Sequence, residues 1–426
     1  MARETARLGA ALRTIVLIAC LALSGRVIAF IALSASGYSP DARAYMTLGQ
    51  ELAEGRPPVL DIWIGRGVQM RAFRPLGVPL ALAALIRILG TPNLARQTFL
   101  GLQIIMSMGS WYLVGSIAGR VLGHRVALWA WALAAINPAL FFTDWRVGVD
   151  TPLLFLILLS VRLSLAVDGS RRGLLAGLGT GATLGLAFVV KQPALFYLPA
   201  ILALLVARGG MAAPRRYWAS VGLVVLGMVP LATPWVVYAS NAVGRFSLGS
   251  TEFCAGLCTQ QWVVQRHPEA KMVDIDGYEP IPELENRSEA EVVEWFRVKY
   301  GAWIKAHRWI FIESVLHRAW DMWANIPNFL LRGPLVTLPA ALAIITTYAA
   351  FAYHLVNRDT PTYWRVFLIV ICALATILGA LYTPDLRYRA GFVDPYLTIG
   401  VACVLARGSD RGPHKAGVET ARGGEK

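Results

Sequence analysis

The chain has 426 residues, 56% of them hydrophobic and only 15% charged, where an ordinary soluble protein carries about 25% charged residues. That composition excludes a disordered chain and argues against a soluble enzyme of one to three domains; a sequence this apolar needs lipid as its solvent. The net charge of +14 comes from 40 Lys and Arg against 26 Asp and Glu, and because the basic residues stand in short clusters between apolar runs, they indicate membrane topology and no nucleic-acid partner.

In chain order, the first apolar run is 12–33, interrupted by Arg26 and too long and poorly flanked by small residues to read as a cleaved signal peptide. A first outer loop, 34–96, follows. Its segment 41–55 predicts a surface helix, with Ala44, Tyr45, Leu48 and Leu52 on one face and Arg43, Gln50 and Glu54 away from it. Segment 75–90 is apolar but has only 16 residues, with Arg87 near its end; it predicts a second helix lying in the outer interface. Uncharged windows then cover 97–119, 126–143, 173–190, 192–207, 217–244, 333–353 and 366–384, each near the ~20 residues that cross ~30 Å of hydrocarbon. Weaker candidates are 151–167, interrupted by Arg162, and 392–406. Together these predict an all-α polytopic membrane protein with about ten transmembrane helices and two interfacial helices in the first outer loop.

With the amino terminus cytoplasmic, alternation puts Arg120, Arg125, Arg171, Arg172, Arg208, Arg215, Arg216, Arg358, Arg365 and the basic tail inside, as the positive-inside rule requires. The outer side receives 34–96, the corners 144–150, 191–192 and 385–391, and the stretch 241–332, where Glu252–Glu294 holds ten acidic and three basic residues. The expected organisation is a membrane module 1–240 carrying the first outer loop, an outer region 241–332, carboxy-terminal transmembrane helices 333–406 and a disordered cytoplasmic tail 407–426. Within the outer region the aromatic residues of 295–323, interleaved with Lys299, Lys305, Arg308 and Arg318, read as an interfacial amphipathic helix.

Ionisable residues next to membrane spans are costly and ask for a reason. They gather at the outer corners: Asp41, Asp61, Arg66, Arg71, Arg74, Asp144, Arg146, Asp150, Lys191, Asp385, Arg387 and Arg389. Carboxylates among cations suit a site that binds a phosphate while removing a proton. Each also has a plain structural reading. Asp41 after Pro40, and Asp150 before Thr151-Pro152, fit helix N-caps; Asp144 and Arg146 fit a headgroup-level pair; Lys191 and Arg74 fit snorkelling to the interface; Arg387-Tyr388-Arg389 fits an interface anchor; Arg26 faces the bundle interior or snorkels outward. Cys254 and Cys258 fit either a disulfide in an oxidising compartment or two thiols on one helix turn. Cys20, Cys372 and Cys403 lie in apolar runs. Asn286-Arg287-Ser288 matches a glycosylation sequon. No cofactor motif and no metal-ligand cluster stands out, which leaves a divalent cation open as a helper.

The order of these motifs resembles the GT-C fold glycosyltransferases that use polyprenyl-phosphate sugars, above all the protein O-mannosyltransferases and the aminoarabinose transferases of lipid A. The likeness rests on SPDARAYMTLGQELAEG with Asp41 and Tyr45, FRPLGVPLALAALIRILG, NPALFFTDWRVGVDTPLLFLILL, GLLAGLGTGATLGLAFVVKQPALFYLPA, PWVVYASNAVGRF and LRYRAGFVDPYL. It implies that Asp41 is the base that deprotonates an acceptor hydroxyl, that Asp150 helps arrange the site, and that Arg74 and Lys191, joined by Arg387 or Arg389, hold the donor phosphate. Sugar would pass with inversion, on the outer face of the plasma membrane, from a polyprenyl-phosphate-linked donor to a glycan, lipid or protein acceptor. Many relatives carry two adjacent acids in the first-loop motif; here the second is Ala42, so no role carries over to a second acid. The competing readings are a transporter or lipid flippase, which should show paired broken helices in two related halves, and an assembly subunit whose corner charges only anchor it.

Overall fold

The computed structural model describes residues 2–33, 39–61, 66–137, 140, 146–210, 212–251, 263, 266–270, 281–324, 334–381 and 393–408. Cys254, Cys258, Asp144, Asp385, Arg387 and Arg389 lie outside them, as does the tail from 409. The protein is an all-α polytopic membrane protein. Its helices follow from its composition, because in lipid a spanning segment must satisfy its own backbone hydrogen bonds.

The helices are α1 (Ala2–Leu33), α2 (Pro40–Ala53), α3 (Gly77–Leu89), α4 (Pro92–Leu122), α5 (His124–Ile136), α6 (Asp150–Ser164), α7 (Arg171–Val190), α8 (Tyr197–Gly209), α9 (Arg215–Val243), α10 (Glu289–Ala306), α11 (Arg308–Ala324), α12 (Pro334–Val356), α13 (Thr362–Leu381) and α14 (Asp394–Gly408). A short helical turn, Gln192–Phe196, leads into α8, and a two-residue antiparallel pair, β1 (Leu60–Asp61) and β2 (Gln69–Met70), sets Leu60 opposite Met70. Among the described residues, α4, α7, the run Gln192–Gly209, α9 and α13 are long and apolar enough to cross a membrane. Helices α1 and α12, with 32 and 23 residues, also have the length. The runs expected at 126–143 and 151–167 form the shorter helices α5 and α6, of 13 and 15 residues. Apolar side chains such as Ile28, Ile105, Leu175 and Leu226 face outward, as expected where lipid is the outer solvent.

Helix α7 carries Gly177, Gly181 and Gly185 at every fourth position, which puts them on one ridge. A Cβ at Gly177 would strike the Ser220 carbonyl oxygen of α9, one at Gly181 the Val224 carbonyl oxygen, and one at Gly185 would come within 2.8 Å of the Met228 carbonyl oxygen. From the other side Gly227 of α9 meets the Leu178 carbonyl at 2.5 Å on the same measure. Small residues let the two backbones touch, which is how helices gain packing energy where lipid removes the hydrophobic drive.

Helix α3 has 13 residues, about 20 Å of helix, which is short against ~30 Å of hydrocarbon. It pairs with α2: a Cβ on Gly49 would meet Leu82 Cβ at 2.8 Å. Arg87 Nε and Nη2 donate to the Ala53 and Leu52 carbonyls at 2.9 Å, capping the end of α2. Tyr45 and Leu48 are buried on the predicted face of α2. A small second core joins Leu48, the β1–β2 pair, Ile281, Leu284 and, from α10, Val292 and Phe296. The 281–296 stretch thus folds back onto the segment 48–70.

The aromatic stretch forms two helices, α10 and α11, broken at His307. Trp309, Ile312, Leu316 and Trp320 lie exposed along one face of α11, while Ser314, Arg318 and Met322 are buried on the other. The exposed face is thus apolar, while the buried one holds a serine and an arginine.

Candidate active site

The α2–α3 pair carries the first half of the site. Ser39 caps α2, its Oγ accepting from the Ala42 amide at 3.2 Å, with Pro40 in the first turn. Asp41 is therefore not the cap, because the serine two residues earlier fills that place. Its carboxylate is turned to a long-range partner instead: Arg74 Nη2 donates to Asp41 Oδ1 at 2.8 Å. The Arg74 side chain is 17% exposed and that of Asp41 35%. The guanidinium carbon lies 5.2 Å from the centre of the Phe73 ring and 6.0 Å from that of Tyr45. Tyr45 stands one helical turn after Asp41, so α2 offers the arginine a carboxylate and a ring from one face.

The second half joins α6 and α7. Helix α6 starts at Asp150 itself, with Val149 before it giving no side-chain cap. Lys191, directly after α7, donates from Nζ to Asp150 Oδ1 at 3.3 Å. The Lys191 and Asp150 side chains are only 13% and 15% exposed, so Lys191 ends in a largely buried ion pair. Gln103 of α4 holds the preceding corner: its Nε2 donates to the Arg146 carbonyl at 3.0 Å, and its Oε1 accepts from the Gly148 amide at 3.3 Å.

The two halves touch. A Cβ on Gly77, three residues after Arg74, would come within 2.8 Å of the Val189 carbonyl oxygen and 2.9 Å of Val190 Cα. The start of α3 thus rests on the end of α7, and the Asp41–Arg74 and Asp150–Lys191 pairs share one end of the bundle. Asp41 with Arg74 and Asp150 with Lys191 thus form two acid–base pairs, one on each side of the contact between α3 and α7. Arg387, Arg389 and the Cys254–Cys258 question fall outside the described residues. Asp61 is exposed on β1, and Arg66 is exposed, 3.9 Å from Glu285.

Sequence reasoning missed several groups. Gln103 looks like any polar residue in an apolar helix. Tyr238 on α9 and Thr251 and Glu289 reach the loop before Arg74 from more than a hundred residues away. Arg26, undecided from the sequence, is 1% exposed and faces inward, its Nε donating to Ser107 Oγ of α4 at 2.6 Å. Among the described residues no group of three or more His, Cys, Asp or Glu could hold a metal.

The opposite end of the bundle is basic. Arg208 Nη1 donates to the Leu165 and Val167 carbonyls at 2.8 and 3.3 Å. Ser220 Oγ donates to the Asp168 carbonyl at 2.9 Å. These bonds gather the 165–172 and 208–220 turns, with Arg171, Arg172, Arg215 and Arg216 among them. Asp168 itself is held below the usual carboxylate range, first by the hydrogen bond from the Ser170 side chain.

Comparison with known proteins agrees with this architecture. Residues 73–238 match the family model described as dolichyl-phosphate-mannose-protein mannosyltransferase. No curated protein gives a significant match to the chain. Among solved structures, the archaeal oligosaccharyltransferase AglB from Archaeoglobus fulgidus, in complex with an inhibitory peptide and a dolichol-phosphate, is similar over 98% of this chain and 52% of its own, at 13% identity and TM-score 0.61. The apo form of the Archaeoglobus fulgidus oligosaccharyltransferase gives TM-score 0.59 at 14% identity, with the same two coverages. ArnT from Cupriavidus metallidurans in the apo state, covered over 76% by 89% of this chain at 14% identity, gives TM-score 0.38, too low to bear on the fold. The chain spans about half the length of the AglB structures it matches. The chain has the GT-C fold, and its residues 73–238 carry the family pattern of the dolichyl-phosphate-mannose-protein mannosyltransferases.

Proposed function

We propose that this protein is an integral-membrane glycosyltransferase that moves a sugar from a polyprenyl-phosphate donor to an acceptor hydroxyl, with inversion, on the outer face of the membrane. The observation that carries the proposal is the Asp41–Arg74 pair, tied through Gly77 to the strand of chain that ends in Lys191. A carboxylate and two cations at one bundle end offer what the transfer needs. The GT-C fold and the family match over 73–238 support the class, and the dolichol-phosphate in the AglB structure supports a lipid-phosphate donor.

In the step we propose, the acceptor oxygen attacks the anomeric carbon while its proton passes to Asp41. The bond between that carbon and the phosphate oxygen breaks, and the electron pair leaves with the polyprenyl phosphate. Negative charge on the phosphate grows as the bond opens, so Arg74 and Lys191 gain strength in the transition state. Asp150 keeps Lys191 oriented. A guanidinium has five N–H donors, so Arg74 can hold an arriving phosphate while Nη2 stays on Asp41.

The basic end opposite the site supports an outer-face location by the positive-inside rule. The test is deletion of the gene in its native cell with mass spectrometry of envelope glycans and lipid-linked sugars. The expected result is accumulated lipid-linked sugar and one missing decoration. Complementation with Asp41→Asn should restore folded protein but lower transfer roughly 10²–10⁴-fold, the range for a lost general base. Full restoration by Asp41→Asn would remove Asp41 from the chemistry.

A further inference from the structure

The loop before Arg74 is fastened at both amides and one carbonyl of two consecutive residues. Glu289, the first residue of α10 and 5% exposed, accepts from the Arg71 amide at 2.8 Å and from the Ala72 amide at 3.1 Å. The same carboxylate accepts from Thr251 Oγ1. The Thr251 amide donates to the Ala72 carbonyl at 2.9 Å, and the Tyr238 hydroxyl lies 3.4 Å from the Arg71 carbonyl and equally from that of Pro58. Two peptide units are thus held from α9, from the chain after it and from α10. Two residues further on is Arg74.

Such fastening is unusual for a loop, whose backbone groups ordinarily face water. A buried carboxylate is expensive unless fully hydrogen-bonded, and here it takes both amides and a hydroxyl. An α-helix that only needed a first-turn acid could use an exposed one, and α10 has that in Glu291. The arrangement makes sense if the position of the next side chains matters. Arg74 is followed by Pro75 and by Gly77, which rests on Val189–Val190, so its backbone is fixed on both sides and only its side chain is left to choose a partner.

We propose that Glu289 is a positioning residue for the donor site: through the Arg71 and Ala72 amides it sets Arg74 to receive the phosphate of a polyprenyl-phosphate lipid. This rests on the phosphate reading of Arg74 given above. It also couples the site to the outer region, because Glu289 opens α10 and Thr251 follows α9. A shift of α10 on binding an acceptor would be felt at Arg74 through one carboxylate.

The experiment uses the full chain in lipid nanodiscs, with undecaprenyl phosphate as the probe and binding read as apparent Kd. The proteins are wild type, Arg74→Ala, Glu289→Gln and the double variant, with Thr251→Val as a milder second probe. Glu289→Gln keeps the shape but loses one acceptor oxygen and the charge. It should weaken binding roughly tenfold, the scale of a lost hydrogen bond to a charged group, and Thr251→Val should weaken it less. In the Arg74→Ala background Glu289→Gln should have no further effect, a non-additivity that general loosening of the fold would not give. Unchanged binding by Glu289→Gln where Arg74→Ala is impaired overturns the role of Glu289 alone. Equal losses in both backgrounds overturn it too, because the residue then acts without Arg74. A wild type that does not bind the probe, or that binds it equally well without Arg74, overturns the phosphate reading and this inference with it.

Discussion

Lys191 and Arg74 look alike in the sequence, each a cation beside or near a proline, one after an apolar stretch and one before it. Their surroundings differ. The Lys191–Asp150 side chains are 13% and 15% exposed, whereas the carboxylate facing Arg74 is 35% exposed. Removing one partner of a buried pair leaves a charge without compensation. Lys191→Ala should therefore cost on the order of 3 kcal/mol of stability, seen as a lower melting temperature in detergent. Arg74→Ala should leave the melting temperature nearly unchanged and raise the apparent Kd for a polyprenyl phosphate. Similar losses of melting temperature in both variants would show that the two pairs are equally structural.

Glu291 gives a residue-level pH effect. Its carboxyl is pulled down to about 2, first by the Ser288 backbone amide, then by the Ser288 hydroxyl and Arg287. The folded value lies below the ordinary 4.5, so this support of α10 is complete above the ordinary value and fades as pH falls through the folded one. Amide protection in the first turn of α10, corrected for intrinsic exchange, should drop between about pH 4.5 and 2. Glu291→Gln should flatten that dependence. A wild-type profile without a drop would mean that the capping box does not hold the helix start.

Among the helices, α7 and α9 form a contact that propensity alone would not suggest, since glycine in a helix interior costs about 1 kcal/mol relative to alanine. The glycines are kept because a side chain has no room between the backbones. Gly181→Val should destabilise the bundle by at least ~1–3 kcal/mol, the range for overpacking. Gly222→Val, with nothing within 4 Å of its would-be Cβ, should be far milder. Comparable melting temperatures for the two variants would show that α7 and α9 can move apart freely. The sequence runs also placed α2 and α3 well, including the buried face of α2. It placed Asp41 at the head of a helix, but the capping role went to Ser39, because a serine hydroxyl one residue before the helix reaches the free amides and leaves the aspartate to a distant partner.

The whole molecule has two unlike ends, one with paired acids and cations and one rich in arginine. In a protein freed of native cysteines, Glu54→Cys should react with a membrane-impermeant thiol reagent in intact cells, and Arg171→Cys only after permeabilisation. Labelling in the reverse order would put the site on the cytoplasmic side and remove the outer-face reading. The protein's solvent and its helical class were legible in the chain itself, because hydropathy acts locally and adds up along a segment. The partners of the charged residues were not. Arg74 finds Asp41 across 33 positions, Lys191 finds Asp150 across 41, and Glu289 finds Ala72 across 217. Those pairings depend on which helices lie side by side, on glycines that let Gly77 approach Val189 and α7 approach α9, and on the 281–296 stretch folded back onto the segment 48–70. Only packing in three dimensions fixes such distances, since a residue's type tells what it can bind but not what stands within 3 Å of it.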